Sequence, residues 1–182
     1  MVDKKIIETK RLILRELNEN DFPALYEILA DSNIMKHYPY TFDENRVRNW
    51  ILKNIERYRV FGFGLWAAVL KRTGKMIGDC GITMQNIDGF IRPEIGYHMS
   101  KRFQGRGFAK EAAQSCRDWA FENTPFNIIC SYMKKENVPS AATAASNGMK
   151  KVHEFIDTEK EITVVYKITR SEWETLKNCG KI

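Results

Sequence analysis

The sequence predicts a single α/β (α+β) domain, a mixed sheet with helices on both faces. Three observations predict it. The apolar periodicity switches between two and 3.6 along the chain, in the order β-α-α-β-β-β-α-β-α-β-β-α. Residues 94–113 run from a strand through a turn rich in glycine and arginine straight into a helix. The length of 182 residues, 43% hydrophobic and 12% aromatic, suffices for one well-buried core and is too short for two ordinary ones.

Taken in order, residues 10–17 alternate and are rich in leucine and β-branched side chains, so they form the first strand. Residues 18–21 supply turn and N-cap chemistry, and Phe22, Leu25, Tyr26, Ile28 and Leu29 then give a short amphipathic helix. Residues 34–42 are apolar but without a period, and Pro39 argues for a loop. A second helix covers 43–59, with Val47, Trp50, Ile51 and Ile55 on its inner side. Residues 63–70 and 76–84 form a hairpin across a glycine-containing turn, and residues 86–90 turn again into a strand over 91–100. The long helix from Gly107 places Ala109, Ala112, Ala113, Cys116, Trp119 and Ala120 on one face and is closed by Thr124-Pro125. A strand over 128–134 follows. Pro139 sits just inside the next helix, 140–146, which Asn147-Gly148 ends. Strands over 150–156 and 161–169 flank a turn, and Ser171 caps a last helix over 172–178.

The strand–turn–helix of residues 94–113 is the arrangement that holds a phosphate. The first N–H groups of a helix lack internal partners, the helix dipole favours negative charge, and glycine lets a ligand approach the backbone. Lys101, Arg102, Arg106 and Lys110 surround this turn. By itself a Gly-x-Gly beside arginines also reads as a surface connection. It matches neither nucleotide pattern, since no third glycine and no Gly-Lys-Ser/Thr follow.

Its wording is more specific. Gln104-Gly105-Arg106-Gly107-Phe108-Ala109 resembles the Q/R-x-x-G-x-G/A motif of GNAT-superfamily N-acetyltransferases. Asn137-Val138-Pro139-Ser140 and Gly148-Met149 are similar to a later segment of that superfamily. Glu8 to Arg15 and Tyr166 to Trp173 resemble the opening strand and the closing strand and helix of its ribosomal-protein (Rim-type) branch. The likeness runs through nearly the whole chain in order. It implies a GNAT-like fold, a mixed, mostly antiparallel sheet of six to seven strands, and acetyl-coenzyme A as donor to a primary amine.

Carried over by the resemblance, the backbone from Gln104 through Gly105, Arg106, Gly107 and Phe108 to Ala109 holds the diphosphate. His98, Met99 and Ser100 offer backbone groups to the pantetheine, beside a strand over 128–134 that splays away. Asn137 orients cofactor and loop. Ser140 matches a serine that hydrogen-bonds or protonates the leaving sulfur, and it equally suits a plain N-cap. Ala144 stands where many members carry the tyrosine that serves as acid. Strand alternation puts Glu94, Gly96 and His98 on one face, which makes Glu94 the candidate base; a surface glutamate is the alternative. By analogy the acceptor site lies between the first two helices and the slot, with Tyr38, Tyr40, Phe42 and Trp66 as candidate walls.

Composition narrows the partners. The four cysteines are scattered, with no C-x-x-C and no histidine at ligand spacing, so no metal site is expected. No apolar run approaches a membrane span, and the first five residues lack the apolar core of a signal peptide, so the expected compartment is the cytoplasm. The charge of +6 is spread among 23 acidic residues without a basic block, which argues against nucleic acid. The expected partner is an amine acceptor, a protein N-terminus or a small molecule, and the expected state a monomer or homodimer. A non-catalytic acyl-coenzyme A-binding module is the alternative, motivated by Ala144 and by the two readings open for Glu94.

Overall fold

Among the described residues, eight strands form one sheet in the order β1-β2-β3-β4-β5-β6-β8-β7. They are β1 (Lys5–Glu8), β2 (Leu12–Arg15), β3 (Leu65–Leu70), β4 (Met76–Ile87), β5 (Phe90–Met99), β6 (Ile128–Lys134), β7 (Lys150–Ile156) and β8 (Ile162–Thr169). The helices are α1 (Phe22–Leu29), α2 (Glu44–Phe61), α3 (Phe108–Asn123), α4 (Val138–Ser146) and α5 (Arg170–Asn178). The structure is a computed structural model that describes residues 4–40 and 42–180. Met1 to Asp3, part of the leader reading above, lie outside the described residues, as does Thr41 in the loop over 34–42.

The sheet has one strand more than the six to seven expected. Lys5–Glu8 pairs antiparallel with β2 at the edge. Its four residues are half-exposed or exposed, so it has no apolar alternation to reveal it. The strand expected over 10–17 is confined to Leu12–Arg15, where Leu12 and Leu14 point into the core. At the other end, the expected cap Ser171 lies inside α5. Thr169 caps this helix instead, in a reciprocal capping box with Glu172.

Local chemistry fixes the connections. Asp88 and Gly89 take positive φ values of 49° and 82° in the two-residue turn between β4 and β5, the turn that matches strand twist. Asp43 accepts from the Arg46 N–H to start α2, and Gly62 ends it. At Gly81 a Cβ would stand 2.0 Å from the Gly64 carbonyl oxygen, so only glycine fits.

The core lies on both faces of the sheet. Leu25, Ile28 and Leu29 of α1 and Val47 and Ile51 of α2 meet Ala67 on one face. Ala112, Ala113, Cys116 and Ala120 of α3 meet Leu12, Leu14, Ala68, Ile82 and Ile95 on the other, with Trp173 of α5 in the same cluster. No helix among the described residues is long and apolar enough to cross a membrane.

One seam in the sheet is nearly open. β5 and β6 are parallel and share a single register pair, Glu94 with Cys130, reinforced by a 2.9 Å hydrogen bond from Ser131 Oγ to the Ile95 carbonyl. Beyond it β5 stays with β4 as far as Met99, while β6 stays with β8 as far as Lys134. Each strand follows its own antiparallel partner, and the unpaired seam left between them is the slot.

Candidate active site

The turn after β5 forms one end of the site. A short 3-10 turn, Lys101–Phe103, leads into Gly105 and Gly107, with φ of 70° and 77°, and α3 starts at Phe108. Gly107 is the N-cap and supplies no side-chain acceptor, whereas Asp43, Asn137 and Thr169 cap α2, α4 and α5. The first-turn N–H groups of α3 therefore face outward without a cap, at the positive end of a 16-residue helix. Gln104 Nε2 donates to the Met99 carbonyl at 2.9 Å and braces the turn against the strand end. The Arg106 guanidinium lies 5.7 Å from each of the Phe103 and Phe108 rings. Gln104 through Gly107 are thus an exposed turn, anchored by the buried Phe108 ring, with free backbone N–H groups of the kind that suit an anion.

The slot continues from it. Alternation along β5 turns the backbone edges of Ile95, Tyr97 and Met99 towards β6, as the Ser131 bond to the Ile95 carbonyl confirms. His98 and Ser100 face the other way. The Ser100 N–H donates to Ile77, and the His98 N–H donates to Asp79 Oδ1 at 3.1 Å. This corrects the expectation for the backbone donors: those of His98 and Ser100 are taken up within the sheet, and the open edge belongs to Tyr97 and Met99.

On the α1/α2 face stand Glu94 and His98. Glu94 is half-buried and accepts from Thr83 Oγ1 at 3.1 Å. Burial pushes its carboxyl up to about 7, against the opposing pull of the Thr83 hydrogen bond and the charges of His98 and Arg57. A Cβ at Gly96 would come within 3.2 Å of Glu94 Oε2, so the glycine gives that carboxylate its room.

His98 is buried between two partners. Nδ1 meets Asp79 Oδ1 and Nε2 meets the Tyr38 hydroxyl, each at 2.8 Å. Burial lowers the imidazole pKa, but the Asp79 carboxylate outweighs it and the net shift is upward. Trp50 Nε1 donates to Asp79 Oδ2 at 2.9 Å. Tyr38 packs edge-on against Tyr40 and Phe42, with ring centroids 6.3 and 5.9 Å away. Of the four wall candidates, Tyr38 reaches His98, and Tyr40 packs behind it against Tyr38 and Phe42. Phe42 is buried in the α1/α2 core. Trp66 is fully buried on the opposite face, 5.0 Å from the Trp119 ring, and lines nothing. Its neighbour Ala67 faces α2 instead, because successive strand residues point to opposite faces.

Across the slot, Asn137 caps α4, accepting from the Ser140 N–H at 3.3 Å, so the N-cap alternative for Ser140 is corrected: it is the third residue of the helix. The Tyr97 hydroxyl donates to the Ser140 carbonyl at 3.2 Å and raises a phenol from β5 to the start of α4. Ala144 is buried in the core.

Asp79, Trp50 and Tyr97 were not singled out as site residues. Asp79 had a signal: it is the lone charge in the apolar strand from Met76 to Met84. Asp157, Glu159 and Glu161 lie close enough together to hold a cation, but all three close on the Lys134 ammonium, at 2.6, 2.5 and 2.7 Å.

An anion cradle at one end, an open slot and a carboxylate with a raised pKa beside it suit group transfer from a phosphorylated carrier to a base-assisted nucleophile. Comparisons with known proteins agree. The acetyltransferase (GNAT) domain family matches residues 11–150. The uncharacterized N-acetyltransferase YnaD of Bacillus subtilis is 31% identical over 150 residues, 80% of this chain and 82% of that protein. An acetyltransferase structure from Agrobacterium tumefaciens is 30% identical, with a TM-score of 0.78, over 89% of this chain and 92% of that one. The structure of RimL, a ribosomal-protein α-N-acetyltransferase in complex with coenzyme A, shares the fold at a TM-score of 0.74 and 19% identity, over 91% of this chain and 98% of that one. With the motif turn, the split strands and the family match spanning the same residues, this chain belongs to the GNAT family of acetyltransferases.

Proposed function

We propose that this protein, as a single N-acetyltransferase domain, moves an acetyl group from acetyl-coenzyme A to a protein or peptide N-terminal α-amine, by direct attack in a ternary complex. The observation that carries it is the slot between β5 and β6, with the uncapped turn of α3 at one end and Glu94 on the opposite face of the sheet. Donor and acceptor can meet there from two sides.

When bound, acetyl-coenzyme A supplies a thioester carbonyl open to attack. The N–H groups from Gly105 to Ala109 hold its diphosphate, and the Tyr97 and Met99 edges pair with its pantetheine arm. Glu94 takes the proton that the amine must shed, and Ser140 hydrogen-bonds the departing sulfur. A carboxyl near 7 is matched to an α-amine, whose ordinary pKa is about 7.7–8.0, and mismatched by about three units to a lysine near 10.4. The fold relative RimL, named for α-N-acetylation of a ribosomal protein, supports the same acceptor class. We propose a cytoplasmic enzyme that is a monomer or homodimer.

Treating a cell lysate with the enzyme and labelled acetyl-coenzyme A, then locating label by mass spectrometry, tests the acceptor. Label on protein N-termini is expected. Label confined to lysine side chains or small amines would overturn the acceptor while leaving the transferase standing. Binding of coenzyme A with no thiol release on any amine would favour a non-catalytic module.

A further inference from the structure

The helix that offers its N-terminus to the diphosphate carries a carboxylate, Glu111, in its own first turn. Although burial alone would raise its pKa, hydrogen bonds from Thr9 and Arg11 hold it below the usual glutamate value, so it is ionised at neutral pH. A negative charge there opposes an incoming anion. The corner between β1 and β2 answers it. Glu111 Oε1 accepts from Thr9 Oγ1 at 2.6 Å and from the Arg11 N–H at 2.8 Å, while Arg11 Nε donates to Oε2 at 2.5 Å.

The same guanidinium reaches the turn itself. Arg11 Nη1 donates to the Arg106 carbonyl at 2.9 Å, and Arg11 Cζ lies 4.2 Å from the centre of the Phe108 ring. Nη2 stands 3.4 Å from where a Gly107 Cβ would be. In a trans peptide the C=O and N–H point in opposite directions. Pinning the Arg106 carbonyl towards Arg11 therefore turns the Gly107 N–H away from Arg11, to the side open to a ligand.

We infer that Arg11 is a positioning residue for acetyl-coenzyme A: it cancels the Glu111 charge and sets the Arg106–Gly107 peptide so that the turn can accept the diphosphate. This rests on the acetyl-coenzyme A reading above. It gives the edge segment from Thr9 to Arg11, 100 residues away in sequence from Glu111, a part in donor binding.

The test compares wild type, Arg11→Met, Glu111→Gln and the double variant by calorimetry with coenzyme A and by kinetics with acetyl-coenzyme A and S-acetylpantetheine, which lacks the diphosphate. In Arg11→Met, Kd and the acetyl-coenzyme A KM should rise about tenfold while kcat moves less than about twofold, and preference over S-acetylpantetheine should fall by about the same tenfold. The double variant should regain about threefold of the lost affinity, since the opposing charge is gone. Glu111→Gln alone should bind coenzyme A at least as tightly as wild type, a result readable even if Arg11→Met folds poorly. Unchanged affinity in Arg11→Met, equal losses on both donors, or weakened binding in Glu111→Gln would each overturn the inference with the acetyl-coenzyme A reading intact. Wild type that binds no coenzyme A would overturn both.

Discussion

With its carboxyl near 7, Glu94 is about half ionised at neutral pH, and only the ionised half can accept a proton. The kcat/KM of the wild type should therefore climb as pH rises through about 7. Glu94→Gln should lower it roughly ten- to a hundredfold on peptide N-termini and remove that rise, with part of the loss recovered at higher pH as the amine deprotonates unaided. Stability runs the other way. The folded protein holds this proton more tightly than an unfolded glutamate, whose ordinary value is 4.5. The resulting stabilisation is complete below about 4.5 and is lost as pH rises through about 7, with an upper limit of about 3 kcal/mol. Glu94→Gln should thus raise Tm by roughly 3–10 °C at pH 8 and leave it unchanged near pH 4.5. Equal Tm values at pH 8 would show that burial does not strain this carboxylate.

In the proposed function the backbone of the α3 turn, more than its side chains, carries the ligand. Gly107 holds φ at 77° and presents no cap of its own. Gly107→Glu should cost about 1–2 kcal/mol of stability for placing a side chain in the left-handed region. Its carboxylate would also occupy the anion site, so coenzyme A affinity should fall by at least about a hundredfold. Circular dichroism reports whether the fold is retained, and calorimetry reports the affinity. Near-normal binding would remove the turn from the site. Gln104 behaves differently, since its amide is engaged with the Met99 carbonyl and it braces the turn rather than facing the ligand.

Across the whole molecule, the strands from β1 to β5 and those from β6 to β8 are two antiparallel sets joined at sheet level by the Glu94–Cys130 pair and the Ser131 bond, with α3 and α4 packed behind them. A donor lying in the seam would bridge the sets by strand-like pairing. Coenzyme A at a hundred times its Kd should stabilise the fold by about 2.7 kcal/mol and raise Tm by roughly 5–10 °C. Amide exchange at Tyr97 and Met99 should slow on binding, whereas that of His98, already bonded to Asp79, should change little. Protection at His98 alone would place the donor elsewhere.

The sequence by itself determined the elements and the glycine turn that opens α3, because both rest on local rules: period, capping, and glycine where backbone must turn. Ile128–Lys134 and Lys150–Ile156 were legible to the residue. Local rules fail where choice depends on neighbours far along the chain. In β3 the run Leu65-Trp66-Ala67-Ala68 is apolar throughout, so its pattern could not say which residues face α2 and which face α3; packing put Trp66 in the α3 core. Lys5–Glu8 became a strand only because β2 lay beside it. Asp79 acquired its three partners from β5 and α2, and Arg11 met Glu111 only when the corner between β1 and β2 came against α3. Glu94 could be named from strand alternation, but its raised pKa is a property of what surrounds it. Burial and long-range hydrogen bonds exist only between elements, and tertiary structure alone decides them.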